Sequence, residues 1–271
     1  MSSLLKNSVS LLLIFLPLTA PGNPYRFSAG AAETGMGSFC ITRKGFWSSF
    51  HNQAILPYNN SLSAGINYEN RFGISELGTR TAGIIIPAGK SSLGLVYSHF
   101  GYPDFRREMG GLACGMVLSD KISAGVQIDY FSERTSGEYD NNQALTFEAG
   151  LMIIPSENVR VGIHVLNPVP NSIRKSFLPS SLSAGAGIEL SKVLHAGAEV
   201  EMSTGERLIL RTGFEYEAFK KFWLRGGFSS ENTSFTLGLG YLFKSINIDL
   251  GFATHERLGV TSSVSIIFKI K

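Results

Sequence analysis

Ile122-Ser123-Ala124-Gly125-Val126-Gln127-Ile128-Asp129-Tyr130 decides the fold. In an extended chain Ile122, Ala124, Val126, Ile128 and Tyr130 share one face, and Ser123, Gly125, Gln127 and Asp129 share the other. Such a strand separates an apolar from a polar environment, and a one-residue slip would exchange the two faces. The same period recurs. Ile246, Ile248, Leu250 and Phe252 alternate with Asn247, Asp249 and Gly251, and Val159, Val161, Ile163 and Val165 alternate with Arg160, Gly162 and His164. Leu208, Leu210, Phe214 and Tyr216 are set against Arg211, Gly213 and Glu215 in the same way.

Working outward gives strands over 62–70, 79–87, 91–99, 109–119, 121–131, 143–154, 158–166, 180–190, 193–201, 207–216, 222–229, 234–243, 246–254 and 260–270. Tight turns of Gly, Pro, Asn, Asp, Ser and Lys join alternate pairs, as at Pro87-Ala88-Gly89-Lys90 and Ser119-Asp120-Lys121. The other connections, including 71–78, 100–108, 132–142, 167–179 and 255–259, are mostly longer and more polar. An even strand count with this asymmetry predicts an all-β fold, a closed antiparallel transmembrane β-barrel of about 14 strands. A soluble β-sandwich also alternates, but it would bury the apolar face against a second sheet. It would also have to explain so many consecutive strands of roughly ten residues with no helix.

The charges agree with the membrane reading. An arginine on the lipid side at the bilayer midplane costs about 2–4 kcal/mol, and Arg160, Arg211 and Arg225 all fall on polar faces. Arg80 sits on the apolar face, near a strand end where its side chain can snorkel. Gly125, Gly150, Gly162, Gly185, Gly187, Gly197, Gly213, Gly227, Gly238, Gly240 and Gly251 all fall on the inward face, which predicts a narrow, filled interior.

The N-terminus reads as an export signal, with Lys6 before an apolar run Val9–Leu18 too short to span a bilayer as a helix. Residues 1–22 are therefore read as a cleaved signal peptide, 23–61 as an N-terminal periplasmic or luminal segment and 62–271 as the barrel. The formal charge of +3 is small and scattered, which argues against nucleic acid as a partner. Cys40 and Cys114 lie in unlike settings, the latter alternating with Leu112 and Met116, and read as unpaired hydrophobes. No metal-ligand spacing or cofactor motif is present.

The lumen-facing candidates are Glu148, Met152, Arg160, His164, Leu166, Glu199, Arg211, Glu215 and Arg225. Mixed charges at close quarters read first as a structural salt-bridge network. Their functional reading is a binding path for an amphipathic molecule with its head on an arginine. Transport then predicts bound lipid-like molecules against Met152, Leu166 or Arg211. Catalysis is not expected: Ser98 and His99 point to opposite faces of one strand, and no Gly-x-Ser-x-Gly frame surrounds them.

Gly30-Ala31-Ala32-Glu33-Thr34-Gly35-Met36-Gly37-Ser38-Phe39 and His51-Asn52-Gln53-Ala54-Ile55-Leu56 resemble the start of PorV/PorQ-type proteins of the FadL superfamily. Asn70–Leu77, Leu93–Ser98 and Leu118–Val126 are similar to that family as well. The resemblance implies a fourteen-stranded outer-membrane barrel with an N-terminal plug in its lumen. Asn52 and Ala54 match the family's plug motif, whereas Gln53 stands in place of its proline and Ile55 in place of its glycine. Thr42-Arg43-Lys44-Gly45 replaces an Asp-rich run. The implied function is passive transport or binding of a small hydrophobic or amphipathic compound in a lipid-surrounded barrel. The alternative is a non-transporting subunit or shuttle that docks a secreted or assembly protein, as in type IX secretion.

Overall fold

The computed structural model describes residues 29–136, 141–169 and 178–270, so the signal segment lies outside the described residues. Fourteen antiparallel strands close into one barrel. They are β1 (Leu62–Asn70), β2 (Gly78–Ala88), β3 (Ser91–Tyr102), β4 (Phe105–Ser119), β5 (Ile122–Thr135), β6 (Asn142–Ser156) and β7 (Val159–Leu166). The second half comprises β8 (Ser181–Ser191), β9 (Leu194–Ser203), β10 (Ile209–Phe219), β11 (Phe222–Ser229), β12 (Ser234–Phe243), β13 (Ile246–His255) and β14 (Gly259–Ile270). Closure is by β1 on β14, with Leu62 opposite Ile270 and Asn70 opposite Ser262.

The surface is inside-out for water. On β5, Val126 and Ile128 are more than half exposed on the outer face, while Ser123, Gln127 and Asp129 are 0% exposed in the lumen. Tyr68, Tyr97, Tyr102 and Tyr130 stand outward near one end, and Phe219, Phe243 and Phe268 near the other. An apolar band between aromatic girdles is what a bilayer requires of a barrel wall. A sandwich is excluded, because no second sheet covers those side chains.

The two ends differ. At the turn end the connections are residue pairs 89–90, 120–121, 157–158, 192–193, 220–221 and 244–245. Lys221 and Lys244 adopt the left-handed backbone that such hairpins need. The loop end carries 71–77, 103–104, 136–141, 167–180, 204–208, 230–233 and 256–258. One expectation fails there. The stretch 100–108 is not a long loop, because β3 and β4 run on to a turn at Pro103-Asp104. Phe100 and Phe105 meet edge to face, and Arg107 lies over both rings while pairing with Glu133 at 2.7 Å. Likewise β5 and β6 extend to Thr135 and Asn142, which shortens the expected 132–142 loop.

Neither Cys40 nor Cys114 is in a disulfide; Cys40 is buried and Cys114 lies on the outer face of β4. No described helix is long and apolar enough to cross a membrane, which says nothing against crossing by strands.

Candidate functional site: the plugged lumen

Residues 29–61 occupy the interior of the barrel as a plug. It holds one short helix, α1 (Ala31–Gly35), and two 3-10 turns, Trp47–Phe50 and Gln53–Tyr58. The luminal glycines explain how it fits. A Cβ at Gly213 would lie 2.3 Å from the Met36 carbonyl oxygen, and one at Gly227 would lie 2.3 Å from the Met36 carbonyl carbon. At Gly125 it would meet the Gln53 backbone at 2.5 Å, and at Gly150 the Asn52 Oδ1 at 2.1 Å. Real Cβ contacts of that length do not occur, so the glycines form the seat on which the plug backbone rests. Sequence reasoning found them and read a filled interior. The resemblance implied a luminal plug, but nothing tied these glycines to it, because the partner residues lie so far away in the chain.

Hydrogen bonds fix the plug at two places. At the first, the Cys40 and Ile41 amides donate to Glu199 Oε2 at 3.0 and 3.1 Å. Close by, the Ala31 amide donates to Ser265 and the Gly37 amide to Thr236. At the second, Gln53 Nε2 donates to Glu148 at 2.7 Å, and Ser123 donates to the Ala54 carbonyl at 2.8 Å. Between them Asn52 is fully buried. Its Nδ2 donates to the Ile41 carbonyl at 2.8 Å, and its Oδ1 accepts the Ala54 amide, capping the turn that follows. Asn52 and Ala54, the motif residues, are therefore the pivot of the plug. Gln53, which departs from the motif, adds a bond that a proline there cannot make.

The lumen-facing candidates lie on the inner wall with the following partners. Met152 is buried against Ala54 and Ile55, and Leu166 lines a small recess beside Cys40 and His51. His164 lies 3.0 Å from Glu148, and Arg160 pairs with Glu189. Glu215 joins Arg43 of the plug at 2.7 Å to Arg225 at 2.6 Å, and Arg225 also holds Asp249 at 2.7 Å. Arg211 is 0% exposed and meets Glu199, Glu201 and Glu231. Two expectations need correcting. Arg211 is fully buried among three carboxylates, one of which, Glu199, accepts the plug amides, and Met152 is covered by the plug. Neither lines an open path.

The lumen is chemically divided. Along β1–β5 and β14 an apolar column runs from Leu178, Phe131 and Met109 near the loop end, past Val96 and Phe50, to Phe46, Trp47, Ile85 and Ile267 near the turn end. Leu178, in the β7–β8 connection, is itself buried in the barrel. Asn167 pins it there, donating to the Leu178 carbonyl at 2.7 Å and accepting from Thr146 at 2.8 Å. Most of the charged groups above lie on the opposite wall, β6–β13.

Two cavities flank the plug. One of about 280 Å³ faces the loop end and is bordered by His51, Glu69, Arg71 and Glu231. The other, about 370 Å³, faces the turn end, and its lining combines Phe46, Trp47 and Trp223 with Arg43, Lys44, Arg225 and Asp249. Glu33 borders both. Its Oε1 accepts from Arg43 at 3.0 Å and from Ser48 at 2.6 Å, a latch within the plug at a residue that lines both spaces. Sequence reasoning missed Glu33 and Arg43; the only signal was a basic run where the resembling family carries aspartates.

Ser98 faces the lumen beside Thr81 at 3.2 Å, and His99 faces outward, so they do not form a nucleophile–base pair. Among the described residues no cluster of metal-ligating side chains is present.

No protein-family model matches the sequence, and no curated protein matches it at a significant level. Solved structures do share its architecture. A Pseudomonas aeruginosa FadL homologue aligns with a TM-score of 0.65 at 13% identity, covering 90% of this chain and 98% of that one. The Pseudomonas putida toluene transporter TodX aligns at 0.63 and 12% identity, covering 93% and 98%. A deltaS2 mutant of the TodX monoaromatic hydrocarbon channel aligns at 0.69 and 11%, covering 90% and 99%. The chain has the fold of the FadL and TodX barrels.

Proposed function

We propose that the protein is an outer-membrane channel that passes a small hydrophobic or amphipathic compound through its lumen, past a plug that yields locally. The loop end faces the exterior and the turn end the periplasm, the usual arrangement of such barrels. One observation carries the reading. Cavities on both sides of the plug share Glu33 in their linings, and the turn-end one sets Phe46, Trp47 and Trp223 beside Arg43, Lys44, Arg225 and Asp249. A molecule with an apolar body and a polar end meets matching surface in that turn-end cavity. The likeness in fold to channels for toluene and monoaromatic hydrocarbons supports it.

The exit is luminal rather than lateral. Each strand ladder is continuous at mid-height, and the register shifts at Val117/Ser119, Ile153/Ser156, Glu189/Ser191 and Glu217/Phe219 all lie beside turn-end hairpins. The PorV/PorQ-like affinity within the fold rests on the segments 30–39 and 51–56, which form the two anchored parts of the plug. Docking of a secreted protein gains no support at the loop end, where several connections are short and Leu178 turns inward.

The test is flux into proteoliposomes. Toluene and benzoate should enter faster than into protein-free vesicles, and glucose should not. Equal entry of glucose would make the protein a general pore and refute the proposal, as would no acceleration of either aromatic compound.

A further inference from the structure

The outer wall carries a second feature, on the face turned away from the lumen. Ala82 is the small member of a row on the lipid side, opposite Ile66 on β1 and Tyr97 on β3. With Tyr68, Val264 and Ile266 around it, it floors an open apolar groove of about 630 Å³. Arg80, one outward position nearer the loop end, closes the top of the groove. It lies opposite Tyr68 and His99, its guanidinium 5.9 Å from the Tyr68 ring centre.

Arg80 has no carboxylate partner among the described residues, and the same holds for Arg106 and Arg134. Those two stand directly opposite each other on β4 and β5, on the outward face and one outward position beyond Glu108. Like charges so placed repel unless an anion sits between them. Glu108 is the one acidic neighbour in these rows; it faces His99 in register and accepts from the Tyr97 hydroxyl at 3.0 Å.

An apolar trough capped by one arginine, with two more arginines face to face beside it, has the complementary shape and charge of an acyl lipid bearing phosphates. Arginine is the side chain best suited to phosphate oxygens, through its planar fork of donors. Two separate cationic positions favour a head with two anionic groups over one. We infer that this face of the barrel binds a bisphosphorylated glycolipid of the lipid A type from the loop-end leaflet. One acyl chain lies over Ala82, one phosphate on Arg80, and the other between Arg106 and Arg134. The inference uses the proposed membrane orientation but not conduction, so either can fail while the other stands.

Native mass spectrometry of the detergent-extracted protein, titrated with bisphosphoryl lipid A, dephosphorylated lipid A or phosphatidylglycerol, tests it. Bisphosphoryl lipid A should bind at least tenfold more tightly than the other two. Arg80→Gln combined with Arg106→Gln and Arg134→Gln should abolish that preference, and Ala82→Phe, which fills the groove, should weaken binding several-fold. Toluene flux should stay unchanged in both variants. Equal binding of all three lipids by the unaltered protein would overturn the site. Preference for phosphatidylglycerol would overturn the assignment to a glycolipid, and full retention of lipid A by the triple variant would overturn the role of the arginines.

Discussion

Replacing luminal glycines with valine should open the channel, because the plug rests on them. Gly213 and Gly125 touch distant parts of the plug, Met36 and Gln53, and a Cβ at each would meet plug backbone at 2.3 and 2.5 Å. Backbone cannot swing aside as a side-chain tip can, so plug or wall must shift. Overpacking of this kind costs about 1–3 kcal/mol per site. The two sites share no partner, so their effects should roughly add, to about 2–6 kcal/mol. At 1.4 kcal/mol per factor of ten, the seated plug loses roughly 30-fold to 10⁴-fold in population. The control is Gly110→Val, on the same sheet, where a Cβ meets nothing within 4 Å. Planar-bilayer recording should show rare openings in the unaltered protein and in Gly110→Val, and frequent or persistent ones in the Gly125→Val/Gly213→Val double variant. Heat-modifiable gel migration would confirm that each barrel is closed. A folded double variant that conducts no more than the control would refute the glycine seat.

Further outcomes follow from the polar anchors. Glu33→Ala removes the latch while leaving Arg43 its Glu215 partner, and should raise toluene flux roughly tenfold, since hydrogen bonds to charged groups contribute about 1.5–3 kcal/mol. Arg211→Met strands Glu199 and Glu201 in the lumen and should destabilise the barrel by about 3–5 kcal/mol, read as a lower melting temperature in detergent. Adding Glu201→Gln should restore part of the loss. Asn167→Ala frees Leu178 and should speed amide exchange at 178–180 without changing the exchange of β5.

Most of the barrel was legible because period-two alternation is a local property. Strands such as β5 carry their environment in their own residues. The loop end was harder to read. Phe105-Arg106-Arg107-Glu108 looks like a polar loop until Arg107 is seen to pair with Glu133 across β4 and β5 inside the wall. The inward position of Glu148, Glu199, Arg211 and Glu215 was also readable from alternation. What they hold was not, since the amides of Cys40 and Ile41 meet a carboxylate on β9 only once fourteen strands have closed. Glycine was the least legible of all. In one strand it signals curvature or weakness, and only the plug shows that Gly125, Gly150, Gly213 and Gly227 are small because backbone lies against them.

The distribution of anchors says which part of the plug moves. Residues 31–41 are tied to Ser265, Thr236 and Glu199, and residues 52–54 to Glu148 and Ser123. Between them, 42–51 meets the wall through the Arg43–Glu215 pair and packs the rings of Phe46 and Phe50 on Gly65, Gly83 and Gly94. Aromatic contact on bare backbone is adhesive but not directional, so a hydrophobic solute can replace it, whereas the buried hydrogen bonds at either side cannot be left unmade cheaply. The middle segment should therefore swing while both anchors stay seated. Disulfides can separate this from ejection of the whole plug. Ser265 Oγ lies 2.8 Å from the Ala31 amide and Ser123 Oγ 2.8 Å from the Ala54 carbonyl oxygen, so cysteines at these four positions bring thiols within reach of one another without a Cβ at a seat glycine. With Cys40 and Cys114 changed to serine, the Ala31→Cys/Ser265→Cys and Ala54→Cys/Ser123→Cys bridges together should leave toluene flux within about twofold of the reduced protein. Flux that stops on oxidation and returns on reduction would mean that the anchors themselves must leave the wall.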